Sequence, residues 1–411
     1  MPPQTVNLFV FVVLDDAQVV QAGRLLVENL HLNFRGGYRG AFQYDPDFLN
    51  HPAGYPLDPV NLPLTPEIIP AGKPDTGLHG VFQDSLPGRW GNRLLAYKGD
   101  FQQHHYGPAH LLEALGTTGL GALLYSPRRI LPEGPNDPSI RNRDLSTALD
   151  EATAYETDTL APPELRFLIT GGYSAGGARP KLLVMKNGIQ YIAKFSSIHD
   201  HTLSQAVELE AAGLTLGCQA GLEIPDFEVS NIRNRPVLFV KRFDITKQGG
   251  RRALVSFASL LDREPTLGSY GGMAEILRRY SSRPRTDLEQ LFRQMVVNVA
   301  IHNTDDHLQN FSMIHDSSGW RLSPAYDLTP SFLQTEQATS IDGRTTRLTT
   351  QHLINEGKTF GLSTSRCRTL INEIRSSLQN WPELIQDKQA IKLIGSRMRQ
   401  ISLHATPELL Q

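Results

Sequence analysis

The sequence predicts an α+β fold, and three patterns predict it. Two strand-like runs, residues 8–14 and 19–26, open the chain. Near the middle, residues 182–186 and 189–195 flank Asn187-Gly188, a dipeptide that favours a type I′ hairpin turn. The last third carries amphipathic helices instead, with stripes such as Leu288, Leu291, Phe292, Met295, Val296 and Val299, then Leu370, Ile371, Ile374 and Leu378.

The chain has 411 residues, room for two to three domains. Hydrophobic residues make up 40% and charged residues 20%, the balance of a soluble globular protein. A formal charge of −2 and a pI near 6.7 give no global attraction to nucleic acid or membrane. Any DNA connection should therefore run through a partner. Two cysteines, Cys218 and Cys367, lie in no metal spacing and fit a reducing compartment. The apolar run 8–14 is short for a signal segment, and no run approaches the 18 or so apolar residues of a membrane span. A cytoplasmic protein without a membrane partner is the expectation.

Taken in order, residues 1–130 read as a small β-rich domain with Pro/Gly-punctuated loops, closed by a strand near 120–125. Residues 131–160 read as a linker, seeded by a Pro-, Arg- and Asn-rich run. Residues 161–245 form a hairpin-rich lobe with a glycine-rich loop, Gly171-Gly172-Tyr173-Ser174-Ala175-Gly176-Gly177-Ala178-Arg179-Pro180-Lys181. Such a loop beside a hairpin can lay backbone N–H groups over phosphates. Lys194 faces opposite to Ala193 and Phe195, where a cation could neutralise phosphate oxygens; a solvent-facing lysine fits as well. Glu210 falls within the stripe Leu203, Val207, Leu214, and a carboxylate on an apolar face calls for a partner or a route to water. A strand at 236–240 runs into Lys241-Arg242-Phe243-Asp244, where a hinge would offer backbone contacts to a base. Residues 246–411 form the helical lobe.

The chemistry concentrates in His302-Asn303-Thr304-Asp305-Asp306-His307-Leu308-Gln309-Asn310, delivered by a helix expected to start at the capping box Thr286-Asp287-Leu288-Glu289. Asp305, Asn310 five residues on, and Asp327 beyond a second hairpin make a phosphoryl-transfer pattern: one base and two oxygen ligands for Mg²⁺. Asn, Thr and Asp are also ordinary turn formers, so the rest of the chain must carry the distinction.

Together these stretches resemble the HipA family of bacterial toxin serine/threonine kinases over nearly the whole chain. FQDSLPGRWGNRLL and LGTTGLGALLYSP resemble its N-terminal subdomain, GGYSAGGARPK its phosphate loop, and AVELEAAGLTLGCQAGLEIPDFEV its post-lysine helix. VKRFD resembles its hinge, and NTDDHLQNFS with LSPAYDLTP its catalytic and metal segments. The resemblance implies a protein-kinase-like, two-lobed fold with a small β-rich N-terminal subdomain and a mostly helical C-lobe. It implies ATP and Mg²⁺, with Asp305 as base, Asn310 and Asp327 as metal ligands, Lys194 on phosphate and Glu210 as its helix partner. Ser174, Ala175, Gly176, Gly177 and Ala178 match the phosphate loop, and Lys181 is a further phosphate contact or a plain strand-start lysine. Lys241, Arg242 and Phe243 match the hinge, with Asp244 near the ribose. His307 belongs to the nucleotide-side motif, read as bracing the loop rather than moving a proton. Ser174 matches a serine whose autophosphorylation ejects the loop and switches such kinases off. Asp306 stands where some relatives carry a small residue, and its role is open. The family's partners are a helix-turn-helix antitoxin (HipB-like), operator DNA through it, and a protein substrate, among them aminoacyl-tRNA synthetases; no residue here selects one.

Gly172-Tyr173-Ser174-Ala175-Gly176 also fits G-x-S-x-G, but a nucleophile elbow leads into a helix and here Pro180 and a hairpin follow. A catalytically weak kinase-fold module that binds DNA through its antitoxin is a second reading, and a kinase acting on a lipid or small molecule a third.

Overall fold

The structure, a computed structural model, describes residues 5–30, 37–101, 106–130, 140–157, 159, 164–171, 180–198, 200, 205–264, 266–331, 334–385 and 388–400. It divides into two compact units. The first comprises Met1–His199, Ser230–Val255 and Ile314–Ser317; the second Asp200–Val229, Ser256–Met313 and Ser318–Gln411.

The first unit holds one sheet and most of a second. In one, β1 (Thr5–Val13), β2 (Val19–Asn29), β3 (Tyr38–Tyr44), β4 (Ile69–Pro70) and β5 (Leu123–Ser126) stand in the order β4-β3-β2-β1-β5. The two opening runs pair antiparallel with Leu8 opposite Leu25, and the register shifts between Val10 and Phe11. Leu8, Leu25, Phe42, Phe48 and Phe82 are fully or almost fully buried, and the Phe42 and Phe82 rings lie 5.2 Å apart.

The second sheet holds β6 (Ile140–Arg141), β7 (Lys181–Lys186), β8 (Ile189–Phe195), β9 (Phe227–Ile232) and β10 (Arg235–Lys241) in the order β6-β7-β8-β10-β9. The turn between β7 and β8 is the expected one: Asn187 and Gly188 both take positive φ, 53° and 77°, as a type I′ turn requires. Residues 131–160 are more than a tether. They include β6, which pairs parallel with β7, and a helix, Leu145–Glu156, that buries Leu145, Ala148, Leu149, Ala152 and Tyr155. That helical spacing was hidden by the polar composition of the residues before it.

The second unit is mostly helical. Its central helix, Pro284–Ala300, buries Leu291, Phe292, Met295, Val296 and Val299 completely, as their spacing predicts. It starts earlier than the capping box suggested, because Pro284 occupies the first turn, where a missing N–H costs nothing. Asp287 instead accepts hydrogen bonds from the Ser281 hydroxyl, at 2.6 Å, and from the Leu322 N–H, at 2.8 Å. Helices Gln205–Gln219, Tyr270–Tyr280, Thr350–Thr359 and Thr364–Ser377 complete the unit's core. Among the described residues no helix is long and apolar enough to cross a membrane.

Candidate active site

The central helix ends at Ala300, and His302 turns the chain out of it with a positive φ of 59°. The His302 carbonyl accepts the Ser331 N–H at 2.9 Å, and the Asn303 N–H returns to the Asn298 carbonyl at 2.8 Å. From here the loop alternates between solvent and core. The Asp305 side chain is 67% exposed, whereas Asp306 is fully buried. His307 Nε2 lies 3.7 Å from Asp305 Oδ1. Leu308 is buried and opens the short 3-10 turn Leu308–Asn310. Asn310 Nδ2 then donates to the Asp305 main-chain carbonyl at 2.7 Å.

The hairpin of strands Ser312–Asp316 and Gly319–Leu322 leads to Asp327, held at φ 53°. That left-handed backbone is one an aspartate tolerates better than most residues. Asn303 Nδ2 donates to the Asp327 carbonyl at 3.3 Å. The neighbouring Tyr326 hydroxyl donates to the Gln309 carbonyl at 3.0 Å and lies 2.6 Å from Ser312 Oγ. Asp305, Asn310 and Asp327 thus belong to one hydrogen-bonded frame within the second unit.

The donor set fits Mg²⁺. Committing the Asn310 amide nitrogen to a carbonyl leaves its oxygen as the atom that could meet a cation, with the Asp327 carboxylate as the second candidate oxygen. Among the described residues no group of three or more His, Cys, Asp or Glu could hold a metal ion. Two protein oxygens, with water and phosphate completing the shell, is the sparse set that a nucleotide-bound Mg²⁺ takes.

Asp306, left open by the sequence, is an anchor. It accepts the Tyr270 hydroxyl at 2.7 Å and the N–H groups of Ala338, at 2.8 Å, and Thr339, at 3.3 Å. Burial pushes its carboxyl up to about 6, against the opposing pull of those donors.

Glu210 is buried on the apolar face of helix Gln205–Gln219, as its spacing suggests. One turn on, a Cβ on Gly213 would stand 1.8 Å from the Leu328 carbonyl oxygen. Glycine is what allows this helix to lie against the residue that follows Asp327.

In the first unit, Lys181 and Lys194 face each other directly across β7 and β8. Lys194 belongs to this unit and Glu210 to the other. Ser174, Ala175, Gly176, Gly177 and Ala178 lie outside the described residues. At the hinge, Lys241 pairs with Tyr191, and the Arg242 N–H donates to the Gln190 carbonyl at 3.0 Å. The side chains of Arg242 and Asp244 turn inward. Arg242 Nε and Nη2 donate to the two Asp244 oxygens at 3.0 and 2.6 Å, and the Gly121 N–H donates to the second at 2.7 Å. Burial pushes the Asp244 carboxyl up, but the Arg242 charge and its hydrogen bonds outweigh burial and hold it below the usual carboxylate range.

The strand orders and the helical second unit define an α+β protein of two compact units. Residues 20–126 match the HipA N-terminal domain, and residues 173–381, half of the chain, match the HipA-like C-terminal domain. The chain belongs to the HipA family. It is 30% identical over 243 residues to the candidate kinase Y4mE of Sinorhizobium fredii, covering 53% of this chain and 56% of that one. It is 26% identical over 235 residues to a second candidate kinase of that organism, Y4dM, covering 53% and 54%. The chain thus spans about half the length of the curated relatives it matches. A Shewanella oneidensis HipA, solved with HipB and operator DNA, shares the fold with a TM-score of 0.67 at 18% identity, covering 95% of each chain.

Proposed function

We propose that this chain is a serine/threonine protein kinase and the toxin of a toxin–antitoxin pair. It would transfer the γ-phosphoryl group of ATP to a hydroxyl of a protein target, with Ser174 of its own glycine-rich loop as an internal acceptor. The observation that carries this reading is the bond from Asn310 Nδ2 to the Asp305 carbonyl, which ties the side chain proposed to ligate Mg²⁺ to the backbone of the proposed base.

Asp305 is exposed on the loop that follows the central helix, where it can accept the proton of an attacking hydroxyl. As that oxygen bonds to the γ-phosphorus, the bond to the bridging oxygen of ADP breaks and ADP departs. Asn310 Oδ1 and the Asp327 carboxylate would hold Mg²⁺, which screens phosphate charge when bound. Lys194, with Lys181 opposite, supplies positive charge toward the phosphates. The backbone from Lys241 to Phe243 would meet the adenine, while Arg242 and Asp244 brace the hinge through their buried pair.

For partners we propose a HipB-like, DNA-binding antitoxin and, through it, operator DNA. The solved Shewanella complex holds such components, and a formal charge of −2 leaves DNA contact to the partner.

Incubation with ATP and Mg²⁺, followed by intact mass, tests the reading with Asp305→Ala as control. One added phosphate on the active protein alone, mapped to Ser174, supports it. An unphosphorylated starting protein that binds ATP but gains no phosphate, alone or with extracted target proteins, favours the binding module instead.

A further inference from the structure

Tyr270 lies thirty-six residues before Asp306, at the start of helix Tyr270–Tyr280, and is completely buried. Its hydroxyl donates to Asp306 at 2.7 Å and accepts from Asn298 Nδ2 at 3.0 Å. Asn298 Oδ1 accepts from Asn303 Nδ2 at 3.0 Å, and that same amide donates to the Asp327 carbonyl. The Tyr270 ring meets Phe311 edge-on, 5.6 Å between centroids. Its backbone is fixed as well, since its N–H donates to the Ser340 carbonyl at 3.1 Å.

The pattern is specific. Asp306 adjoins Asp305, Phe311 adjoins Asn310, and the amide relay ends on Asp327 itself. One buried phenol therefore braces the chain at or next to each of the three residues that the kinase reading places in chemistry. A tyrosine in a core for its bulk alone would need one partner for its hydroxyl. This one occupies its hydroxyl as donor and as acceptor, both toward the same site.

We propose that Tyr270 is a positioning residue of the kinase site: through Asp306 and the Asn298–Asn303 relay it holds Asp305, Asn310 and Asp327 in a productive arrangement. The inference rests on the kinase reading. Supporting groups of this kind commonly change metal affinity or activity about 10- to 100-fold when removed.

Tyr270→Phe keeps the ring against Phe311 and deletes the hydroxyl. Asn303→Ser cuts the relay to Asp327 and serves as an independent variant should the first fail to fold. The probe is a fluorescent ATP analogue titrated with and without Mg²⁺ into the full-length protein, with thermal unfolding recorded alongside. We expect either variant to raise the Mg²⁺ concentration needed for tight nucleotide binding about tenfold or more, with Mg²⁺-free binding unchanged. The turnover number for phosphate transfer should fall more than KM for ATP rises. Folded variants with a lowered melting temperature and an unchanged Mg²⁺ requirement would make Tyr270 plain core and overturn the inference alone. A wild-type protein that binds no nucleotide removes the kinase reading and this inference together.

Discussion

Asp305 and Asp306 are adjacent carboxylates in opposite environments: the first side chain is 67% exposed, the second residue is wholly buried. Their substitutions should therefore separate chemistry from stability. Asp305→Ala should abolish phosphate transfer and change unfolding free energy by no more than about 0.5 kcal/mol, the usual range for a surface position. Radiolabel incorporation and chemical denaturation measure the two effects independently. Loss of stability well beyond that range would mean that Asp305 holds the loop together rather than acting on substrate.

Asp306 should impose a pH dependence on stability. Its carboxyl is raised from 3.8 to about 6, chiefly by burial, so the folded protein binds this proton more tightly than the unfolded chain. Stability from this group is greatest below the lower value, declines as pH rises through the interval, and is level above about 6. The shift corresponds to about 3 kcal/mol. Asp306→Asn should flatten that part of the profile, so the stability difference between wild type and variant should change between pH 4 and 7 and no further above it. A difference constant across that range would show that Asp306 does not titrate there.

Where neighbours in sequence are also neighbours in space, the sequence was legible. Asn187-Gly188 specifies its turn by local backbone preference, and the stripes of helices Pro284–Ala300 and Gln205–Gln219 predicted their buried faces, Glu210 included. The loop from His302 to Asn310 was legible for the same reason, since the helix before it and the Asp–Asn spacing are both local. Asp306 and Tyr270 were not, because their partnership spans thirty-six residues and no periodicity encodes it. The pairing of Arg242 with Asp244 and the bond from the Gly121 N–H were not legible either, because Gly121 lies 123 residues from Asp244.

The Arg242–Asp244 pair makes a prediction about the hinge. Both side chains are almost fully buried, so removing one partner leaves a charge in the interior without compensation. Arg242→Met should destabilise the protein by about 3–5 kcal/mol, more than a surface ion pair could. Adding Asp244→Asn removes the stranded charge and keeps an acceptor for the Gly121 N–H, so the double variant should recover part of the loss. Urea denaturation of the three proteins gives the comparison. A double variant no more stable than the single one would show that the pair's geometry, rather than the stranded charge, sets the cost.

Gly213 makes a steric prediction beside the site. A glycine inside a helix ordinarily weakens it, and replacing it with alanine stabilises an exposed helix by up to about 1 kcal/mol. Here the sign should reverse. The new Cβ would fall 1.8 Å from the Leu328 carbonyl oxygen, a backbone atom that cannot rotate aside as a side chain would. Relief requires moving either helix Gln205–Gln219 or the segment following Asp327. The cost of such overpacking is about 1–3 kcal/mol, and it lands next to a proposed metal ligand. Gly213→Ala should therefore lower the unfolding midpoint and raise the Mg²⁺ needed for nucleotide binding. Gly361, which unlike Gly213 has a positive φ of 84° and has open space around it, provides a control. Gly361→Ala should lose stability from backbone strain alone and leave the Mg²⁺ requirement unchanged.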